Sequence, residues 1–195
     1  AAPRPDLEGA VMPVYHSKQN KAEGCREIGG IYLLPFDAKF SKGAAPRPGP
    51  ELAVDIIEET ITYFKANVFF QNFEIKGCAD RLLVYLTLFL HQALCRMTRC
   101  PNKDAVNKEM YQLSIETFKL PTDVGFPLKA FYKKVDSKRE SDELRAYLLQ
   151  CRQELTGRLA EVVIDPASGR PSKWWLCFTK RKFLGQSLEG PGGRR

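Results

Sequence analysis

Apolar residues recur at helical spacing in several stretches of the chain, and the stretches differ in how much of a helix they cover. Over 51–70, Ile57, Ile61, Phe64 and Val68 fall on one face. Pro50 suits the start of that helix, and Glu51, Asp55, Glu58 and Glu59 place negative charge at the positive end of its dipole. Over 80–99 the pattern changes. Leu82, Leu83, Val84, Tyr85, Leu86, Leu88, Phe89, Leu90, Ala93 and Leu94 cover nearly the whole circumference. A helix that is apolar all round is enclosed either by other helices or by lipid. The most apolar run, Leu82 to Leu90, is about half the length needed to span a bilayer, which predicts the hub of a bundle. Arg96 and Arg99 fall in the last turn, and Pro101 ends it.

A shorter helix over 103–116 presents Met110 and Leu113. Pro121, Gly125 and Pro127 then enforce a loop, and "LKAFYKKV" (128–135) reads as extended. Ser137 and Glu140 match a capping box, so a long helix follows. Its apolar positions are Leu144, Leu148, Cys151, Leu155, Leu159 and Val162, and Gly157 weakens it by about 1 kcal/mol relative to alanine. After the turn "DPASGRP" (165–171), Pro171-Ser172 opens a last helix that Gly185 ends.

Before residue 51 the chain is punctuated by proline and glycine, and only "IYLLPF" (31–36) looks like a strand or an apolar anchor. The fold expected is all-α. It has about five helices, one of them a central apolar helix surrounded by the others, and an extended N-terminal arm. Residues 1–11 are read as an extra N-terminal segment, disordered, and 12–50 as the arm. A single helical domain spans 51–185 and a flexible tail 186–195. Phe64, Leu82, Leu86, Phe89, Leu90, Leu148, Leu155, Trp175 and Phe178 are assigned to the core.

Composition does not change that picture, with 44% hydrophobic and 27% charged residues, ordinary for a globular chain. The distribution of charge does change it. Of the net +7, residues from Arg170 onward carry +6, from seven basic residues and one acid. Residues 1–169 hold 23 basic and 22 acidic residues, net +1. A nucleic-acid domain more often spreads its cations over a face, whereas one cationic end suits one local acidic partner. No C-x-x-C spacing occurs among the six cysteines, and His16 and His91 have no ligand-like neighbours, so neither metal nor cofactor is expected. The cysteines are read as reduced thiols packed as small hydrophobes. With no leader pattern, a soluble intracellular protein is expected.

No phosphate-binding, nucleophile-elbow, dinucleotide or zinc-protease motif is present. Glu58 and Glu59 point about 100° apart on a helix and sit where acids are expected anyway. His91 reads as a hydrogen-bonded core or rim residue. Enzyme activity is therefore not expected. The sharp feature is "PSKWWLCFTKRKF" (171–183). Trp175 and Phe178 are one turn apart and suit a core-facing stripe, which turns Trp174 away toward a partner, with Lys173, Lys180, Arg181 and Lys182 around it. The cations also suit the negative end of a helix dipole. On the residues alone, packing, protein docking, single-stranded nucleic acid and an anionic membrane all remain open. Two adjacent tryptophans are a poor platform for successive bases, and three consecutive cations fan over most of a turn instead of forming one face.

Taken together, "MPVYHS" (12–17), "YFKANVFFQNFEIK" (63–76), "ADRLLVYLTL" (79–88), "KEMYQL" (108–113), "GFPLKAFY" (125–132), "RAYLLQCRQE" (145–154), "PSKWWLCFTKRKF" and "SLEGPG" (187–192) resemble the subunit 3, or 21 kDa, family of the actin-related protein 2/3 complex. The resemblance runs in order from Met12 to about Gly192. It departs locally at 93–100 and at 152–166, where Thr156-Gly157 stands one step later than the family's pattern. It implies an all-helical, non-catalytic structural subunit of a seven-subunit assembly that nucleates branched actin filaments from the side of an existing filament. The partners implied are actin-related protein 3, the other subunits and the actin filament, with no nucleic acid, membrane insertion or small-molecule substrate. The cytoplasmic actin cytoskeleton, with lamellipodia, cell projections and the nucleus, is the location implied. A free-standing basic nucleic-acid-binding helical domain is the alternative.

Overall fold

The computed structural model describes residues 14–188. The segment 1–11 and most of the expected tail lie outside them. Five α-helices follow in order: α1 Ile56–Asn67, α2 Cys78–Met97, α3 Lys103–Ile115, α4 Lys138–Val163 and α5 Lys173–Leu176. The fold is mostly helical but not all-α. A small antiparallel sheet pairs β1, Glu27–Ile28, with β2, Ile31–Tyr32, in register Glu27 to Tyr32 and Ile28 to Ile31. Gly29 and Gly30 form its two-residue turn with φ of 60° and 83°, a conformation that costs glycine little and other residues more.

Capping residues explain where the helices begin. Asp55 caps α1 by accepting the Glu58 N–H at 2.9 Å, so the helix starts later than Pro50. Asn102 caps α3 through the Ala105 N–H, and Ser137 caps α4 through the Glu140 N–H. No side chain caps α2 at Gly77. Asp80, in its first turn, instead accepts the N–H groups of Ser17 and Lys76.

Helix α2 packs against α1, α3, α4, α5 and β2. By length and composition it could cross a membrane, but 83% of its apolar window is buried inside the protein. Leu82, Leu86, Phe89 and Leu90 are inaccessible, as are Phe64 of α1 and Leu148 and Leu155 of α4. The buried face of α4 rotates along its length. Leu144, Leu148 and Cys151 face inward early, whereas Leu159, Ala160 and Val163 do so at the end, which leaves Val162 half exposed.

Residues 14–50 contribute to this core, since Ile31, Leu34 and Phe36 are buried and Tyr147 Oη donates to the Leu34 carbonyl at 2.9 Å. Polar clamps hold the rest of the segment. Tyr15 exchanges two hydrogen bonds with Asn67, at 3.0 and 2.9 Å. The Phe40 N–H and Ser41 hydroxyl both donate to Glu154, and the Ala45 N–H donates to Gln150. Arg158 donates to both oxygens of Asp55 and to Glu154.

The last helix differs from its expected extent. After α5 the chain forms a 3-10 turn, Cys177–Lys180, becomes extended at Arg181 and turns again at Phe183–Gly185. Burial is the reason. Phe183 is inserted beside Phe73, ring centroids 5.7 Å apart, and the Leu184 N–H donates to the Phe70 carbonyl. Leu184 also has a φ of 52°, which a right-handed helix does not accommodate. Arg181 and Lys182 therefore do not sit in a helix's last turn and do not complement its dipole. The expected extended run over 128–135 opens with a 3-10 turn at Lys129–Phe131 and becomes extended at Tyr132.

Candidate protein-docking surface

The surface around α5 is built from its cap outward. Ser172 accepts the Trp174 N–H at 3.3 Å and fixes the first turn. That turn sets two adjacent tryptophans about 100° apart, so they enter different environments. Trp175 is 7% exposed and stacks on Phe64 at 6.4 Å between centroids, with Lys65 Nζ 4.1 Å from its ring centre. Trp174 is 81% exposed. An exposed indole has the apolar body and polar edge common among residues that anchor protein–protein contacts.

Phe178, assigned to the core from sequence, is only partly buried. It bridges two elements edge-on, meeting Phe64 at 6.1 Å and Phe69 at 5.8 Å. Phe69, just beyond α1, is 45% exposed, and the Arg181 guanidinium lies 5.3 Å from its ring centre. Phe69 and Lys65 thus join the surface although sequence reasoning did not include them. A visible signal was the Phe69-Phe70 pair directly after a helix end, where one ring has no core to enter. Lys173, Lys180, Arg181 and Lys182 are all exposed, and none is in an ion pair among the described residues. The result is a protruding indole, a half-exposed phenylalanine and un-neutralised cations.

The chemically interesting groups elsewhere have structural work. Glu59 is fully buried and accepts the Ser17 hydroxyl at 2.6 Å and the Lys18 N–H at 3.0 Å, and burial pushes its carboxyl above the usual range. Asp80 takes His16 Nδ1 at 2.7 Å as well as its two backbone donors. His91 is 3% exposed, with Nε2 3.2 Å from the Thr179 carbonyl. Cys151 is buried, whereas Cys177 is exposed and does not pack as a small hydrophobe. Burial drives the Cys151 thiol upward in pKa. Among the described residues no three His, Cys, Asp or Glu side chains are grouped to hold a metal ion.

Residues 12–188 match the family described as the ARP2/3 complex ARPC3 (21 kDa) subunit. The chain is 42% identical over 184 residues to a Caenorhabditis elegans protein named probable actin-related protein 2/3 complex subunit 3, with 93% of this chain and 98% of the relative covered. It is 43% identical over 177 residues to the Schizosaccharomyces pombe subunit 3, covering 91% of this chain and all of the relative. The Arabidopsis thaliana subunit 3 is 42% identical over 171 residues, with 88% and 97% covered.

Proposed function

This chain belongs to the ARPC3 (21 kDa) subunit family of the ARP2/3 complex, and from that premise we propose that it is a non-catalytic structural subunit of the complex, which nucleates branched actin filaments. The observation that carries the proposal is coverage: the resemblance extends through 12–188 and takes in 97–100% of the Schizosaccharomyces pombe, Arabidopsis thaliana and Caenorhabditis elegans relatives. In this reading α2 is the hub that the other helices enclose, and the outer surface serves assembly. The protein works in the cytoplasmic actin cytoskeleton, with lamellipodia, cell projections and the nucleus as the places where branching needs it.

The docking surface of Trp174, Phe69, Lys173, Lys180, Arg181 and Lys182 is assigned to an acidic protein neighbour, actin-related protein 3, with the filament nearby. Charge complementarity supports this, since unpaired rim cations accelerate and orient encounter with an acidic surface. The nucleic-acid alternative gains nothing from the geometry, because only one of the two tryptophans is available to stack on a base.

Charge reversal tests the assignment. Lys180→Glu, Arg181→Glu and Lys182→Glu together are expected to cut co-purification of actin-related protein 3 with the tagged chain by about tenfold. The melting temperature of the isolated chain falls by no more than a few degrees, since the positions are exposed and only the Arg181 contact with Phe69 is lost. A lowered melting temperature with undiminished co-purification would refute the assignment.

A further inference from the structure

A groove of about 640 Å³ lies between α3 and α4, and no residue of the Trp174 surface lines it. Its floor is apolar, with Met110 and Ala160 buried, and the Phe40 ring packs into the space that Gly157 leaves by having no side chain. Two aromatic rings stand over that floor from different elements. Phe40 of the N-terminal segment is 44% exposed and Tyr111 of α3 is 66% exposed.

The two ends of the groove differ in charge. Arg152 of α4 donates to the carbonyls of Leu113 and Ser114, which places the end of α3 beside the middle of α4. Ser41 and Ala45 are bonded to Glu154 and Gln150, so Lys42 stands at this same end, near Gln153. Lys42 is exposed and forms no ion pair among the described residues. At the other end Lys103 and Glu161 both line the groove and offset each other. One end is therefore net positive, the middle apolar, and the far end neutral. The volume falls within the range of roughly 300–1,000 Å³ typical of small-molecule sites.

We propose that this groove binds a small monocarboxylate with an aromatic or alkyl body. The body lies between the rings of Phe40 and Tyr111 over Met110 and Ala160. The carboxylate meets Lys42, with the Gln153 amide beside it. Apolar burial supplies most of the affinity. Lys42 sets orientation more than strength, because an ion pair in water contributes little.

The test is a titration of the full chain with 2-naphthoate, followed by backbone amide chemical shifts. Expected are saturable shifts confined to 40–45, 107–114 and 153–161. The matching uncharged alcohol, 2-naphthylmethanol, should bind about fivefold more weakly, and Lys42→Glu should weaken 2-naphthoate by a similar factor, roughly 1 kcal/mol. Tyr111→Ser should weaken acid and alcohol alike. Both substitutions are at exposed positions, so the rest of the spectrum reports an intact fold. Shifts that fail to saturate, that centre on Trp174 and Phe69, or that persist unchanged in both variants would overturn the proposal.

Discussion

Trp174 and Trp175 are neighbours in sequence and opposites in environment, so the same truncation tests two different things. Trp175→Ala removes a ring packed on Phe64 and beneath Lys65, and is expected to cost about 3–5 kcal/mol in urea unfolding. Trp174→Ala should leave unfolding nearly unchanged. Glu59 carries a second prediction at this scale. Its carboxyl is held above the usual range by burial, so just above pH 4.5 the folded chain keeps a proton that the unfolded chain has lost. Its contribution to stability is therefore greatest at low pH and falls as pH rises through that window. Glu59→Gln should remove this slope from the stability-against-pH curve. At pH 7 it should also cost about 1–3 kcal/mol, because an amide N–H would face the Ser17 or Lys18 donor. An unchanged slope in the variant would refute the assignment of that titration to Glu59.

Among the elements, α4 holds an informative conflict. Gly157 costs the helix about 1 kcal/mol relative to alanine in intrinsic propensity. A Cβ placed there, however, would lie 2.3 Å from Cγ of Phe40. Gly157→Ala is therefore expected to lower the melting temperature despite its better propensity, and to speed amide exchange across 37–45. Along the sequence Gly157 reads only as a weak point, because the ring that fills its notch, Phe40, is over a hundred residues away. Long-range burial accounts for the other differences as well. Helices α2, α3 and α4 were legible from local signals, namely apolar spacing and, for α4, the Ser137 cap. The break after Lys180 was not, because it is imposed by Phe183 entering a site beside Phe73. On the candidate surface, the exposure of Trp174 was legible from its offset from Trp175, whereas Phe69 required knowledge that Phe178 folds back onto the end of α1.

For the whole molecule, Arg158 ties three regions together. It bonds Asp55 at the cap of α1, Glu154 within α4 and the Asp37 carbonyl. Arg158→Met would leave two nearly inaccessible carboxylates without their cation, at an expected cost of about 3 kcal/mol. Urea unfolding measures the total, and amide exchange should show 37–45 losing more protection than α2.

These ties also impose an order in time. Phe40 and Ala45 are held by residues 114 and 105 positions further along the chain. At a synthesis rate of about 5–20 residues per second, the segment emerges roughly 5–20 s before its partners exist. Until α4 has left the ribosome, the Leu34 carbonyl has no Tyr147 hydroxyl to accept from and the Phe36 ring has no Tyr147 ring to meet. Docking of 40–45 onto α4 is consequently a late folding event, later than the packing of β2 on α2.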